Sequence, residues 1–562
     1  MTWGKRRALI ILAVVAVIII GIMVASTRAR VASKSVLLLD VGGDIEEQRP
    51  MDLLSALNGD VQPVMHDYVD EIDTAKNDPH IEALIVRLSP LATGWGKLEE
   101  IRAHILGFRE SGKPSICYLG GDGMGNLEYY VASACDKVWL VPTAQVGIKG
   151  MMAEATFLRG TLDKLKIVPD FYHIAEFKTA SNQLTEKKFT PAHHEEVDSL
   201  LHSIYNQYLT EVSEARKVDR AAFEKLVEQG PFSSDDAIAN KLVDRLAYWD
   251  QVQDFVRTKT GGWHPVKMSH YRSQVKNSGR TRIAVVHATG LIVSGESGNS
   301  PGGGFIMGGD SVAADLRKAR EDSGIKAIVL RIDSGGGSAV ASEVIRREVQ
   351  LTKGVKPIVI SMSDVAASGG YWIAMSADKI VADPNTITAS IGVLGGKLNV
   401  SGLYSMLGLS TDYVATSDNA TFYSAQQNFT PAQRAAFEKS LQDVYANFTK
   451  GVAAGRNMSV EAVDKIGKGR VWTGEQAKDL GLVDELGGLD RAIAVAKQLA
   501  HIPERRSVHI VRFPEEKTFF QMLLERQRDE SAQAMTIEET VRRLTATYEP
   551  LQARMPFELR IY

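Results

Sequence analysis

The chain nearly repeats itself at an interval of about 240 residues, and no other feature restricts its fold so strongly. Phe189-Thr190-Pro191-Ala192 recurs as Phe429-Thr430-Pro431-Ala432, and Leu242-Val243-Asp244 recurs as Leu482-Val483-Asp484, both at an offset of 240. Cys135-Asp136-Lys137 is matched by Ala377-Asp378-Lys379 at an offset of 242. A single core rarely grows past about 250–300 residues, so this period predicts two domains of common build within the 562 residues.

The copies differ where chemistry would sit. Lys178 faces Asp418, Ser368 faces Asn126, and Tyr371 faces Tyr129. One copy therefore holds a serine in a glycine turn without a matching lysine, and the other holds the lysine without the serine. Neither half is expected to act alone, which places the site where the copies meet, within one chain or between neighbours.

Each copy opens on an apolar run ending in glycine, Val36 to Gly42 and Ile283 to Gly290, read as a buried strand. Leu84-Ile85-Val86 with Ile328-Val329-Leu330, and Ser115 to Leu119 with Ile358 to Met362, supply further strands between helical stretches. That alternation predicts an α/β fold with a mostly parallel sheet. Thr190 and Thr430 are placed as N-caps of long amphipathic helices over 191–216 and 431–455. Residues 258–281 read as a linker, and Ser297 to Asp310 as a glycine-rich loop. The resulting division is 1–30, 31–265, 280–505 and a tail over 506–562 with no assigned role.

The amino terminus is not globular in character. Ala8 to Ser26 is a run of 19 uncharged residues behind Lys5, Arg6 and Arg7, long enough to cross a bilayer as one helix. It exceeds the roughly 7–15 apolar residues of a cleaved signal peptide, so a retained anchor is expected. Arg28, Arg30 and Lys34 balance the leading charges, and charge alone leaves the orientation tied. A net charge of -3 argues against a nucleic-acid partner. Cys117 and Cys135 supply no metal framework; they could pair in an oxidising compartment, but two small buried thiols is the favoured reading.

Ser368 lies in Ala366-Ala367-Ser368-Gly369-Gly370, between a strand and a helix, where free N–H groups also suit an oxyanion. Taken alone it would serve as an N-cap, since Ala366 breaks the Gly-x-Ser-x-Gly pattern. Its base cannot be a nearby histidine, because none lies between His287 and His501. His193 and His194 read as solvated surface. Lysine can replace histidine when burial disfavours its charged form, and Lys178, in Phe177-Lys178-Thr179-Ala180, is the lysine that the crossed losses single out. Asp333-Ser334-Gly335-Gly336-Gly337-Ser338 is a second turn whose backbone could cradle a carbonyl oxygen, and the other copy has no such glycines.

Together, Ala-Ser-Gly-Gly-Tyr-Trp at 367–372, the glycines at 335–337, Phe177 to Ala180, and Thr388-Ala389-Ser390-Ile391-Gly392 resemble the signal peptide peptidase A family, also called protease IV, in its long two-copy form. The resemblance covers about residues 35–500 and the anchor. It implies tandem Clp protease/crotonase-like domains, Ser368 as nucleophile, Lys178 as general base, and Ser390 as a partner of the lysine. It further implies oxyanion donors at Gly336 and Gly369. No metal or other cofactor is implied. The implied substrates are cleaved signal peptides and other apolar peptides at the bacterial inner membrane, cut on its periplasmic side by a single-pass homo-oligomer, a tetramer. The family commonly has Asn-Ser-Pro-Gly-Gly-Ser where this chain has Asp333 to Ser338, which implies a looser oxyanion turn. The rival readings are a crotonase-like acyl-CoA enzyme and a catalytically inactive membrane scaffold.

Overall fold

A computed structural model describes residues 31–49, 62–122, 124–275, 277–299 and 304–515, together with the backbone of 551–554 and 560–561. The expected anchor at 8–26 lies outside the described residues. Among those described, no helix is long and apolar enough to cross a membrane.

The repeat is visible as two sheets with the same strand order. In the first, the order is Arg245–Leu246, Lys137–Leu140, Ser115–Leu119, Ile81–Leu91, Ser35–Gly43 and His264–Lys267, all parallel. In the second, the order is Glu485–Leu486, Lys379–Ala382, Ile358–Ala367, Ile325–Ser334, Thr281–Thr289 and Val508–Phe513, again parallel. Parallel strands must be covered on both faces, which is why these runs are apolar throughout rather than alternating. Val36 and Leu38 point to one face, against Val252 and Val256 of the Trp249–Thr260 helix. Leu37 and Leu39 point to the other, in the core that includes Ile101, Ile105 and Tyr208.

Matching side chains brace the copies in matching ways. Tyr129 donates its hydroxyl to the Leu242 carbonyl at 2.7 Å, and Tyr371 donates to Leu482 at 2.9 Å. Asp136 accepts the N–H of Ser115, and Asp378 that of Ile358. The long helices run over Pro191–Arg216 and Pro431–Arg456, each capped by its threonine, with proline at the first turn where a missing N–H costs nothing. Both end on a left-handed residue, Lys217 and Asn457.

The copies diverge beyond Met362. The strand that is Ser115–Leu119 in the first copy becomes Ile358–Ala367 in the second and carries the chain to Ser368. Its far end pairs with Ile387–Ala389, which pairs antiparallel with Val471–Thr473. The first copy keeps only an isolated bridge there, between Val146 and Phe232.

Several contacts join the copies, and two are extensive. Val168–Ile174 of the first pairs antiparallel with Val393–Asn399 of the second over seven residues, building a third sheet from both. Beside it lies a buried ionic network. The Arg331 guanidinium is fully buried, grips Glu47 at 2.8 and 3.1 Å, and meets Glu100 at 2.6 Å. Lys97 bridges Asp333 at 2.8 Å and Asp364 at 3.4 Å, while Asp364 accepts the N–H groups of Gly94 and Lys97 at the start of the Trp95–Arg109 helix.

Several expectations change. Residues 258–281 do not form a free linker: His264–Lys267 adds an edge strand to the first sheet, because backbone pairing asks little of side-chain pattern. Val508–Phe513 is its counterpart and extends the second sheet past residue 505. Ser297 to Asp310 contains strands Gly298–Asn299 and Phe305–Gly308, paired antiparallel, and Asp310 already belongs to a helix. Cys117 and Cys135 are joined as a disulfide rather than standing as two thiols, since the strand and the turn that carry them bring their Cα atoms to 5.7 Å. His193 is fully buried against Phe189 and Phe157, and burial pushes its pKa down to about 4; His194 alone is solvated.

Removing one member of a buried ion cluster strands the others without water. Arg331→Ala is therefore expected to lower stability by about 3–5 kcal/mol in urea unfolding. A loss below about 1 kcal/mol would show that the network does not hold the copies together.

Candidate active site

Ser368 sits at the break between the Ile358–Ala367 strand and the Gly369–Ala374 helix with φ 55° and ψ -110°. A side chain rarely adopts that backbone, which costs on the order of 1–3 kcal/mol and persists only where surroundings impose it. Here the Ser368 N–H donates to the Ala389 carbonyl at 2.7 Å. Gly370 lies so close to the Ser334 carbonyl that a Cβ would stand 2.9 Å from its oxygen. The serine occupies the N-cap position without capping the helix through its side chain, so its hydroxyl is left for another partner.

That partner comes from the other copy. Lys178 Nζ lies 2.7 Å from Ser368 Oγ, 2.9 Å from Ser390 Oγ and 3.3 Å from the Ser390 carbonyl. All three residues are fully buried, and the pair belongs to one chain. The lysine is brought in by backbone: Phe177 donates its N–H to the Lys468 carbonyl at 3.0 Å. Glycine is required opposite it, since a Cβ on Gly469 would stand 2.7 Å from the Lys178 Cα and one on Gly392 3.1 Å from its Cδ.

Burial lowers the Lys178 pKa to about 7, with the nearby Glu196 carboxyl pulling the other way. The hydrogen-bond directions then fall into place. Ser390 Oγ donates to the Gly469 carbonyl at 3.2 Å, so it can only accept from Lys178. The Ser390 carbonyl takes a second N–H, and the lone pair of the neutral amine is left facing the Ser368 hydroxyl. Ser390 itself holds φ 54°, and its N–H donates to the Arg470 carbonyl at 2.9 Å.

Of the sequence-predicted residues, Ser368, Lys178 and Ser390 are brought into one cluster. Gly369 follows the serine at a helix start, where the first N–H groups have no intrahelical acceptor. Gly336 departs from expectation: its N–H donates to Ser334 Oγ at 3.1 Å, and Ser334 in turn donates to the Gly290 carbonyl. A short side chain two residues earlier in the turn has claimed the donor. Asn126 accepts the Lys149 N–H, and Asp418 starts an exposed turn, so the two lost positions have become structural.

Beside the cluster runs a lane between Gly336–Ser338 and Val393–Asn399. The carboxy-terminal strand Leu551–Arg554 fills it, pairing antiparallel with both and setting Arg554 opposite Gly336. The strand Arg560–Ile561 then pairs with Ala153–Glu154 of the first copy. The tail left unassigned by the sequence therefore crosses the site.

Sequence reasoning missed Glu196, whose signal was present in the repeat: the equivalent position in the second copy is Ala436. It also missed Lys97, which holds Asp333 at the root of the glycine turn.

The model of peptidase family S49 matches residues 107–261 and 350–503, one segment in each copy. The chain is 35% identical over 495 residues to the chloroplastic serine protease SPPA of Arabidopsis thaliana, covering 86% of this chain and 72% of that one. It is 35% identical over 479 residues to Protease 4 of Salmonella typhi, covering 82% and 75%. Among solved structures, a ClpP1 mutant from Listeria monocytogenes aligns with 37% of this chain and 94% of its own at 17% identity and a TM-score of 0.25. With both copies matched and most of each relative covered, the chain belongs to peptidase family S49 and is a serine peptidase.

Proposed function

We propose that Ser368 and Lys178 form the catalytic dyad of this peptidase and that its substrates are apolar peptides in extended form, cleaved signal peptides among them. The observation that carries the dyad is a fully buried lysine, with its pKa lowered to about 7, held 2.7 Å from a serine on a strained turn. Neutral Lys178 takes the Ser368 proton as Oγ attacks the peptide carbonyl, and the resulting ammonium delivers that proton to the leaving amine. The neutral lysine then activates water to hydrolyse the acyl-enzyme. Ser390 aims the amine by accepting one N–H while donating to Gly469. Gly369 offers its N–H to the oxyanion, while the Gly336 N–H stays with Ser334 Oγ.

The lane filled by Leu551–Arg554 supports an extended peptide, since its backbone is satisfied on both edges by strands of this chain. The matching strand orders support tandem Clp protease/crotonase-like domains. A single-pass anchor over 8–26 would hold the enzyme where apolar peptides collect. The Cys117–Cys135 disulfide fits the oxidising periplasmic side of a bacterial inner membrane. Apolar side chains left open at Leu407, Leu409, Tyr413 and Val414 support a homo-oligomer, for which we favour a tetramer.

Ser368→Ala and Lys178→Ala are each expected to cut peptide hydrolysis by at least about 10³-fold with unfolding behaviour retained. Activity within about tenfold of wild type in either variant would end the dyad reading. The pH profile has a definite sign. The base works when neutral, so kcat/KM should fall about tenfold per unit below pH 7 and reach a plateau above it. A rate still climbing at about pH 9 would mean that the lysine keeps its ordinary pKa. Ending the chain before Leu551 should raise kcat/KM for short peptides several-fold, and an unchanged value would show that the tail does not compete for the lane.

A further inference from the structure

We propose that Glu196 is a positioning residue for the base: it fastens the Lys178–Thr179 segment to the strand that frames Ser390. This rests on the dyad reading of Ser368 and Lys178 and goes beyond it, because Glu196 touches neither serine.

The geometry is a clasp between copies. Glu196 lies on the Pro191–Arg216 helix of the first copy, fully buried. One carboxyl oxygen accepts the Val471 N–H at 2.7 Å, and the other accepts the Thr179 hydroxyl at 3.3 Å. Val471 belongs to the second copy and ends a run in which every residue serves the site. The Lys468 carbonyl takes the Phe177 N–H, the Gly469 carbonyl takes the Ser390 hydroxyl, and the Arg470 carbonyl takes the Ser390 N–H. Glu196 closes that run onto the residue following the base. Displacement of a reacting group by about 1 Å can cost a hundredfold in rate, so such a clasp has a use.

The repeat supplies an independent comparison. The second copy has the same helix, the same threonine cap and the same proline, yet at the matching position it carries Ala436, which is exposed. The glutamate accompanies the lysine and is missing where the lysine is missing. A buried carboxyl needs a compensating reason to persist, since an unpaired one is costly.

The charged groups facing Glu196 are few. Lys178 and Arg470 act on it from neighbouring segments, Arg470 being engaged by Glu195 at 2.6 Å. On its own helix, His193 is held neutral by burial. Burial also raises the Glu196 pKa to about 8, so through the acid limb near pH 7 the carboxyl is largely protonated. A neutral carboxyl adds no charge there, so a neutral replacement that keeps the acceptor should leave the limb in place.

The experiment compares the full-length chain with Glu196→Gln and Glu196→Ala, reading kcat, KM and the acid limb of kcat/KM against pH on one apolar peptide. Glutamine keeps an acceptor for Val471 but no charge. Its acid limb should stay near pH 7 and its kcat within about threefold of wild type. Alanine releases the clasp, and kcat should fall about 10- to 100-fold while KM changes little. Rescue of kcat by glutamine relative to alanine completes the expected pattern. If both folded variants match wild type, or if glutamine and alanine lose kcat equally, the proposal is overturned. Should Glu196→Gln not fold, Thr179→Val decides: it removes the hydroxyl from the clasp, and kcat should fall with KM little changed, whereas an unchanged kcat refutes the proposal. Full activity in Ser368→Ala would instead remove the dyad itself, an outcome that Glu196 variants cannot mimic.

Discussion

The constraint on which this structure depends is the removal of water from one ammonium group. In the proposed dyad Lys178 can act as a base only when its charged form is disfavoured, and its burial draws on both copies. The first copy supplies the side chain; the second supplies the walls. Gly469 and Gly392 admit the lysine stem, the Lys468 carbonyl holds Phe177, and Ser390 offers two acceptors for the amine. Two acceptors suit a neutral amine with two N–H groups, leaving its lone pair for the serine. The strained turn at Ser368 follows from the same demand, because an ordinary cap geometry would spend the hydroxyl on the helix.

Holding such a site across two domains requires that they meet in one register. A purely apolar contact could be satisfied by several packings, whereas charges taken out of water tolerate few. Arg331 with Glu47 and Glu100, and Lys97 with Asp333 and Asp364, all lie between the copies. Buried ion pairs of this kind often add little net stability against an apolar replacement. Their value here is alignment: Lys97 reaches the first residue of the glycine turn, and Asp364 ties the Trp95–Arg109 helix to the strand that leads into Ser368. The seven-residue pairing of Val168–Ile174 with Val393–Asn399 does the same through backbone.

Much of this was legible in the sequence because the repeat is its own alignment. Buried parallel strands must be apolar, so Val36 to Gly42 and Ile283 to Gly290 announced themselves, and the threonine-proline pairs marked both long helices. The crossed losses at Lys178 and Ser368 led to the pair now seen at 2.7 Å. What escaped depends on tertiary contact. His193 looks like a surface residue until Phe157 and Phe189 fold over it. Edge strands such as His264–Lys267 pair through backbone and carry little side-chain pattern. The Cys117–Cys135 disulfide needs a Cα separation that spacing in sequence does not reveal. Gly336 had the right residue type, yet Ser334 two positions away claimed its N–H.

The central claim is that one chain supplies both halves of the site. It is tested most directly by mixing two full-length inactive variants, Ser368→Ala and Lys178→Ala, through co-expression and again after unfolding and refolding together. If serine and lysine act within one chain, the mixture stays as inactive as either variant alone, because no chain then holds both groups. Recovery of a substantial fraction of wild-type peptide hydrolysis in the mixture would contradict this, since it would require a lysine from one chain to serve the serine of another.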